Sequence, residues 1–247
     1  MPEKNDRCNG VELFRIPNIS ACEVRRRVNR FVVEAELARD IVRVHNTNTG
    51  RLEDILFPGS TIYCAPRSNP GKTTHYVVGS TIYGGSLINT RLQEDAFHVA
   101  VEKGVIRWLD SCRVKQRAPR VSVGRLDFLL ECNGDEVFVE LKSAVLRGPN
   151  GEAMYPDCPT ERGRKHIQEL AAMNSSGHHV LLVFIAGFPG ATAFKPYKKG
   201  DPLLAEVLAN AVKEGLTVRS VGVCLEVSNR TGIIRLYNDY LPILIDK

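Results

Sequence analysis

Two carboxylates with a spacing suited to metal binding occur in residues 123–143, which read VGRLDFLLECNGDEVFVELKS. They are Asp127 and Glu140, and Lys142 follows two residues after the second. Two carboxylates held close together repel, so such a pair takes up a proton, recruits a cation or turns into solvent. We favour a cation, because carboxylate oxygens are ligands that suit Mg²⁺ or Mn²⁺. The alternative is a solvated polar face on which arginine and lysine neutralise the two acids.

The dipeptide Asn133-Gly134 is predicted to position these side chains. It readily supplies the two positive φ angles of a two-residue type I′ hairpin turn. In the register set by this turn, Asp127 lies opposite Glu140 and Arg125 lies opposite Lys142, with opposed Cβ atoms about 4.5–5.5 Å apart. The other face of the hairpin is then entirely apolar. That face consists of Leu126, Phe128, Leu130, Val137, Val139 and Leu141.

The composition predicts a soluble, cytoplasmic protein. The chain has 247 residues, enough for two domains, and a net charge of +5, which is compatible with a polyanionic partner without requiring one. Its seven cysteines are odd in number and lack Cys-x-x-Cys spacing, so we predict a reduced chain without a zinc site. No apolar run approaches the roughly 20 residues of a membrane span, so no membrane partner is expected.

The N-terminal part of the chain is predicted to be a β-barrel. Between residues 11 and 88, short alternating segments are separated by turn residues, and strands are expected over residues 31–37, 40–45, 61–65 and 75–82. About five short strands with little helical periodicity favour a barrel of the oligonucleotide-binding (OB) type over a sandwich. We place this first domain at residues 1–85, because the composition changes near Gly84-Gly85.

The second domain, residues 86–247, is predicted to be a mixed sheet flanked by helices. Apolar spacing predicts a helix over residues 90–103. Further helices are expected over residues 161–175, behind the N-cap Thr160, and after Asp201-Pro202. Residues 179–187, 217–227 and 233–237 have the pattern of strands. The order helix, hairpin, helix, strand, helix, strand is typical of a mixed sheet with helices packed against it.

Basic side chains in both domains are predicted to contact a nucleic-acid backbone. Arg25 and Arg27 share one face of an extended segment, and residues 113–120 carry four cations directly before the hairpin. The alternatives are a solvated strand in the first domain, a basic edge strand before the hairpin, and a salt-bridged surface on the helix over residues 161–175. The predicted contacts are Arg25, Arg27, Arg51, Arg113, Lys115, Arg117, Arg125, Arg162 and Lys165.

The spacing of Asp127, Glu140 and Lys142 resembles the core of the PD-(D/E)xK nucleases, in which an Asp on one strand precedes Glu-x-Lys on the next. Further motifs make this resemblance more specific. They are HNTNTGR at 45–51, RLDF at 125–128, VELKS at 139–143, YPD at 155–157 and TERG at 160–163. In this order the motifs closely resemble the sugar fermentation stimulation protein A family, over nearly the whole chain.

The resemblance implies an OB-fold-like barrel followed by a restriction-endonuclease-like domain that binds DNA without marked sequence preference. It also implies a loose link to the regulation of sugar utilisation. It further implies that Asp127, Glu140 and Lys142 are the catalytic residues and that Asp127 and Glu140 are also the metal ligands. Asn48 and Glu161 take supporting positions around them.

Two features depart from the family pattern. The Pro of the PD-(D/E)xK motif is absent before Asp127. The family tends to carry an acid on the helix before the hairpin, at the position that Val99 occupies here. Glu94 or Glu102 on the same predicted helix is available to replace that acid. The sequence does not choose between them.

The residues and the resemblance lead to a DNA-binding protein with a nuclease-like divalent-metal site, with catalysis left open. The alternative is an active Mg²⁺- or Mn²⁺-dependent phosphodiesterase acting on DNA or RNA. In that case the metal lowers the pKa of a bound water from 15.7 towards about 7, and Lys142 orients the water and shares the developing charge. A third hypothesis is a barrel that binds RNA or another oligonucleotide by stacking bases on aromatic side chains.

Overall fold

The structure is a computed structural model that describes residues 8–245. Within these residues the chain contains three α-helices, α1 (Thr90–Glu102), α2 (Glu161–Ser175) and α3 (Pro202–Lys213). The strands are β1 (Val11–Ile16), β2 (Ser20–Asn29), β3 (Val32–Leu37), β4 (Asp40–His45), β5 (Thr61–Pro66), β6 (His75–Ser80), β7 (Ser86–Leu87), β8 (Cys112–Arg117), β9 (Arg120–Val121), β10 (Gly124–Arg125), β11 (Phe128–Cys132), β12 (Asp135–Ala144), β13 (Leu146–Arg147), β14 (Ala153–Tyr155), β15 (His179–Ala186), β16 (Phe194–Pro196), β17 (Thr217–Ser228) and β18 (Thr231–Asn238).

Strands β2 to β6 form a closed five-stranded barrel. Closure occurs because β4 pairs with β3 on one side and, in parallel, with β6 on the other. Side chains alternate as expected for such strands: in β3, Val33 and Ala35 are buried, while Glu34 and Glu36 pair with arginines on the outside. The predicted barrel is confirmed. Its interior includes Cys22, Val24, Val33, Ala35, Val44, Ile62, Cys64 and Val77.

The second domain contains a seven-stranded mixed sheet in the order β1-β18-β17-β15-β12-β11-β8. The central strands β12, β15 and β17 are parallel, and the outer pairs are antiparallel. Helix α1 packs on one face, where Phe97 meets Phe128. Helices α2 and α3 cover the other face through residues such as Ile167 and Leu208. The predicted mixed sheet flanked by helices is confirmed.

All three helices begin where the sequence predicts. Asn89 caps α1 by accepting hydrogen bonds from two backbone N–H groups, and Thr160 caps α2 by accepting from the N–H of Gly163. Asp201 caps α3 in the same way, with Pro202 at the first helical position. A helix cap depends on residues that are close in sequence, so the start of a helix can be predicted before the fold is known.

The predicted division at residue 85 differs from the structure at both ends of the first domain. Strand β1 does not join the barrel; it pairs with β18 at the edge of the large sheet, for example Val11 with Leu236. Strand β7 pairs with β6, so the barrel sheet extends to Leu87. Residues 11–16 therefore belong structurally to the second domain, because a strand finds its partner by non-local pairing.

The prediction of a fully reduced chain is wrong in this structure. Cys8 and Cys224 form a disulfide that ties the beginning of the described chain to β17, and Cys112 and Cys132 form a second one between β8 and β11. The other cysteines, Cys22, Cys64 and Cys158, are free. Among the helices within residues 8–245, none is long and apolar enough to cross a membrane.

Candidate metal centre

The hairpin of β11 and β12 forms around the predicted turn. Asn133 and Gly134 have φ angles of 53° and 95°, as a type I′ turn requires. The register is also as predicted within the ladder, where Phe128 pairs with Val139. The turn therefore fixes which residues of β12 point to each face of the sheet.

Asp127 does not pair with Glu140 as a strand neighbour, because the ladder ends at Phe128. Its backbone N–H donates to the carbonyl of Val139 at 3.1 Å, and its Oδ2 accepts the N–H of Leu141 at 2.7 Å. The carboxylate thus turns towards β12 and is held there by the backbone. Asp127 is therefore near Glu140, but the two residues are not directly opposed partners in the β11–β12 ladder as predicted.

Two further predictions on this hairpin are wrong. Leu126 does not share a face with Phe128; it packs with Leu129 in the core under α2 and α3. Arg125 does not oppose Lys142, because it pairs with Arg120 in the two-stranded ribbon of β9 and β10. The physical reason is that the chain leaves the large sheet before residue 127 to form this ribbon.

Glu140 is buried and is bound by two basic side chains. Glu140 and Lys142 are two residues apart on β12 and therefore share a face. The Nζ of Lys142 lies 2.5 Å from Oε1 of Glu140, and the Nδ1 of His166 on α2 lies 3.3 Å from the same oxygen. Burial opposes ionisation of Glu140, but these two contacts keep the pKa of its carboxyl below the usual value.

Asp127 lies in an electrostatic environment that disfavours its charge. Burial first, and then the neighbouring charge of Glu140, raise the pKa of Asp127 to about 7, and Glu94 on α1 adds to the effect. The pKa of Glu94 is itself raised, mainly by burial. Glu102 is exposed and accepts the N–H of Val114 at 2.8 Å. The acid that α1 contributes is therefore Glu94. We call Glu94, Asp127 and Glu140 the acidic site.

The acidic site suits a hard divalent cation. It offers carboxylate oxygens, and a bound cation would offset the burial and the neighbouring charge of Glu140, which together raise the pKa of Asp127. Within residues 8–245, no three His, Cys, Asp or Glu side chains come together closely enough to enclose a metal ion. Mg²⁺ does not need such a cage, because it keeps several waters and uses one or two carboxylates. Asp127 and Glu140 would be those ligands.

A cavity of about 620 Å³, which we call the first cavity, lies between the barrel and the second domain beside the acidic site. Glu140 and Lys142 line it from β12, and the loop of residues 47–55 lines it from the barrel. Asn48 fixes this loop, because its Nδ2 donates to Oγ of Ser143 at 3.2 Å. The loop is fixed again where the carboxylate of Asp157 accepts the N–H of Leu52. Asn48 thus links the loop of the barrel to β12 of the second domain.

Comparisons with known proteins match both halves of this architecture. The SfsA N-terminal OB domain matches residues 26–90, and the sugar fermentation stimulation protein RE domain matches residues 91–229. The chain belongs to the sugar fermentation stimulation protein family. The predicted family and the OB type of the barrel are therefore confirmed.

Members of this family resemble the chain over most of its length. The homologue of Pyrococcus furiosus is 44% identical over 88% of this chain and 94% of that protein. The homologue of Archaeoglobus fulgidus is 36% identical over 95% of this chain and 100% of that protein. The structure of Pyrococcus furiosus SfsA in complex with Ca²⁺ has a TM-score of 0.89 and 42% identity, covering 95% of this chain and 100% of that chain.

Most of the basic residues predicted to contact nucleic acid are engaged by acids or by the backbone. Arg27 donates to backbone carbonyls, including that of Arg51, and so holds the loop of the first cavity. Strand β8 is the basic edge strand that the sequence offered as an alternative. The ion pairs are Arg25 with Glu36, Arg113 with Glu131, Lys115 with Glu136, Arg117 with Asp95 and Lys165 with Glu169.

Two predicted contacts, Arg51 and Arg162, do line the first cavity. Within the described chain neither forms an ion pair. Glu161 is exposed at the start of α2, next to Arg162, and Lys165 pairs with Glu169 instead of Glu161. The acid beside Asp127 comes from α1.

Sequence reasoning did not select His166 as a site residue. Its only local signal is its place on α2 immediately before Ile167, at the border of the apolar stripe that packs on the sheet. The contact with Glu140 depends on how α2 lies against β12, which no motif states. Tyr155 was missed as a site residue for the same reason. It is largely buried near Lys142 and Glu140, and burial raises the pKa of its hydroxyl.

Proposed function

We propose that this protein binds nucleic acid without marked sequence preference and hydrolyses its phosphodiester bonds with Mg²⁺ or Mn²⁺ at the acidic site. The observation that carries the proposal is the convergence of Glu140 and Lys142 on the first cavity, with Asp127 and Glu94 beside them. The helix acid Glu94 replaces the acid that is absent at Val99. The Ca²⁺ complex of the Pyrococcus furiosus relative supports a site for a hard divalent cation.

Each side chain has a role that follows from its contacts. Asp127 and Glu140 would hold the metal, which when bound polarises the phosphoryl oxygen and lowers the pKa of water. The ammonium of Lys142 hydrogen-bonds Glu140, and it would orient the attacking water and share the developing negative charge. His166 holds Glu140 from the opposite side and is a positioning residue.

Weak sequence preference follows from the chemistry of the cavity walls. Arg51 and Arg162 offer guanidinium groups, which recognise phosphate oxygens in any sequence. Phosphate contacts position a nucleic acid but carry no sequence information. DNA is the proposed substrate, and RNA offers the same phosphodiester.

The test is to incubate the protein with end-labelled DNA and RNA in Mg²⁺ or Mn²⁺, beside Asp127→Ala. We expect cleavage by the wild type and none by the variant. Asp95→Ala is a matched control, because Asp95 is an acid on α1 that is paired with Arg117. Equal cleavage by wild type and Asp127→Ala would remove the acidic site from consideration.

A second candidate function is DNA binding without turnover. It is favoured by the close contacts of Glu140 with Lys142 and His166, which occupy an oxygen that a metal would use. This function predicts a salt-dependent affinity for DNA and no cleavage in any metal. A role in regulating sugar utilisation is proposed only from the name of the relatives, and DNA binding is compatible with it.

A further inference from the structure

A second cavity, of about 530 Å³, lies next to the first cavity and is separated from it by Thr47, which lines both. The hydroxyl of Thr47 accepts the backbone N–H of Thr90 at 2.9 Å and so links the barrel to the start of α1. This second cavity contains none of the residues of the acidic site or of the predicted nucleic-acid contacts. Its walls include His45, Arg67, Tyr76, Arg91 and Asp95.

The second cavity contains two arginines that form no ion pair. Arg67 and Arg91 are exposed, and within residues 8–245 neither has a carboxylate at ion-pair distance. One guanidinium nitrogen of Arg67 donates to the hydroxyl of Thr73 at 3.1 Å. Asp95 also lines the cavity, but its carboxylate pairs with Arg117 at 2.7 Å. His45 lines the same cavity as Arg67 and Arg91. Burial and then the charges of these two arginines lower the pKa of His45. An anion in this cavity meets two guanidinium groups.

Two flat rings lie beside these cations. His45 and Tyr76 pair with each other across the seam that closes the barrel, where β4 meets β6, and both are half-buried. Aromatic side chains next to basic groups are the combination with which proteins bind unpaired bases. The cavity has the size of a pocket for one small ligand. Its volume of about 530 Å³ is suited to a single nucleotide.

Helix α1 connects this cavity to the acidic site. Arg91 and Glu94 are three residues apart and therefore neighbours on one helix face. The charge of Arg91 also opposes the rise in the pKa of Glu94 that burial causes. Arg91, which lines the second cavity, is thus a neighbour of an acid of the acidic site.

We propose that the second cavity binds an unpaired nucleotide of a single-stranded nucleic acid, adjacent to the bond held at the acidic site; this inference rests on the proposed function. The strand passes over Thr47 and contacts Arg51 and Arg162 on the other side. The substrate is a single strand or an unpaired segment. Duplex reaches the acidic site only where a nucleotide is unpaired.

The test measures binding of fluorescent single-stranded oligomers, dT and rU, and of a duplex, with EDTA present so that cleavage does not contribute. Arg67→Ala and Arg91→Ala are compared with wild type and with Arg15→Ala. Arg15 is an exposed cation of the same type that is already paired with Glu12 and is not a predicted nucleic-acid contact. Because the three arginines are exposed, the variants are expected to fold, which circular dichroism checks.

We expect Arg67→Ala and Arg91→Ala each to weaken single-strand affinity about tenfold and to reduce the salt slope by about 0.7. Arg15→Ala is expected to bind as wild type does. A preference for dT or for rU identifies the natural strand, and either supports the inference. Unchanged binding by both cavity variants, or equal wild-type affinity for duplex and single strand, would overturn it. Absence of metal-dependent cleavage by the wild type contradicts the proposed function and leaves this binding result intact.

Discussion

Replacing Asp127 with Asn is expected to stabilise the metal-free protein at alkaline pH. The carboxyl of Asp127 has a pKa of about 7 in the folded protein, against 3.8 for an ordinary Asp. For an acid whose folded pKa is raised, the stabilising contribution is complete below pH 3.8 and is lost as the pH rises through 7. Asn removes the charge, keeps the shape, and still offers an oxygen to the N–H of Leu141.

The magnitude follows from the two pKa values. Each tenfold difference in proton affinity between the folded and unfolded states is worth about 1.36 kcal/mol, so the charge of Asp127 costs at most about 4 kcal/mol at pH 8. Water on the partly exposed side of the carboxylate reduces this value. For a chain of this size about 1 kcal/mol corresponds to roughly 2–4 °C, so a rise in Tm on the order of 10 °C is the upper limit.

The assay is thermal unfolding in EDTA between pH 4 and pH 8, for wild type, Asp127→Asn and the control Asp95→Asn. The advantage of Asp127→Asn over wild type should be small at pH 4 and should increase through pH 7. Asp95→Asn removes only a surface ion pair with Arg117, so it should cost about 0–1 kcal/mol. A constant difference between wild type and Asp127→Asn across this range would refute the reasoning.

Three further changes have defined outcomes. Glu94→Gln should weaken Mn²⁺ binding roughly tenfold in calorimetry, because a neighbouring charge is lost; unchanged affinity would exclude Glu94 from the site. Reducing the disulfide between Cys8 and Cys224 should lower the free energy of unfolding in urea by about 2–5 kcal/mol, and an unchanged midpoint would contradict a native bond. Asp157→Ala should cost about 1–3 kcal/mol and speed amide exchange at Leu52, which loses its acceptor; equal exchange would show that the loop is held otherwise.

Local chemistry made much of the fold predictable. The turn at Asn133-Gly134 set the register of β11 and β12, and Thr160 and Asp201 marked the starts of α2 and α3. The alternation in β3 predicted a barrel wall. These features depend on φ preferences, on capping hydrogen bonds and on the period of apolar residues, all of which act within a few positions along the chain.

What the sequence did not predict depends on long-range pairing. Strand β1 joins β18 more than 200 residues away, and Cys8 meets Cys224 near the same edge. The chain leaves the hairpin ladder at Phe128 because β9 and β10 form a separate ribbon. The strand neighbours of Asp127 therefore differ from the predicted ones. The spacing of residues within a short segment cannot predict such contacts, since each contact joins elements that are distant in sequence.

The candidate site shows the same division. Asp127, Glu140 and Lys142 were predicted from one hairpin, whereas the choice of Glu94 over Glu102 required the packing of α1. Charge clusters were misleading, because the cations of β8 are paired with acids. Arg51 and Arg162 are distant in sequence and line the same cavity only in the fold. The same is true of Arg67 and Arg91 in the second cavity.

Calorimetric titration of Mn²⁺ into the wild-type protein and into Asp127→Asn tests the central claim most directly. The acidic site as described predicts heat of binding in the wild type and loss of that heat in Asp127→Asn. Asp95→Asn, which changes an acid on the same helix as Glu94, should bind as wild type does. Equal affinities in wild type and Asp127→Asn would contradict a metal centre at this site.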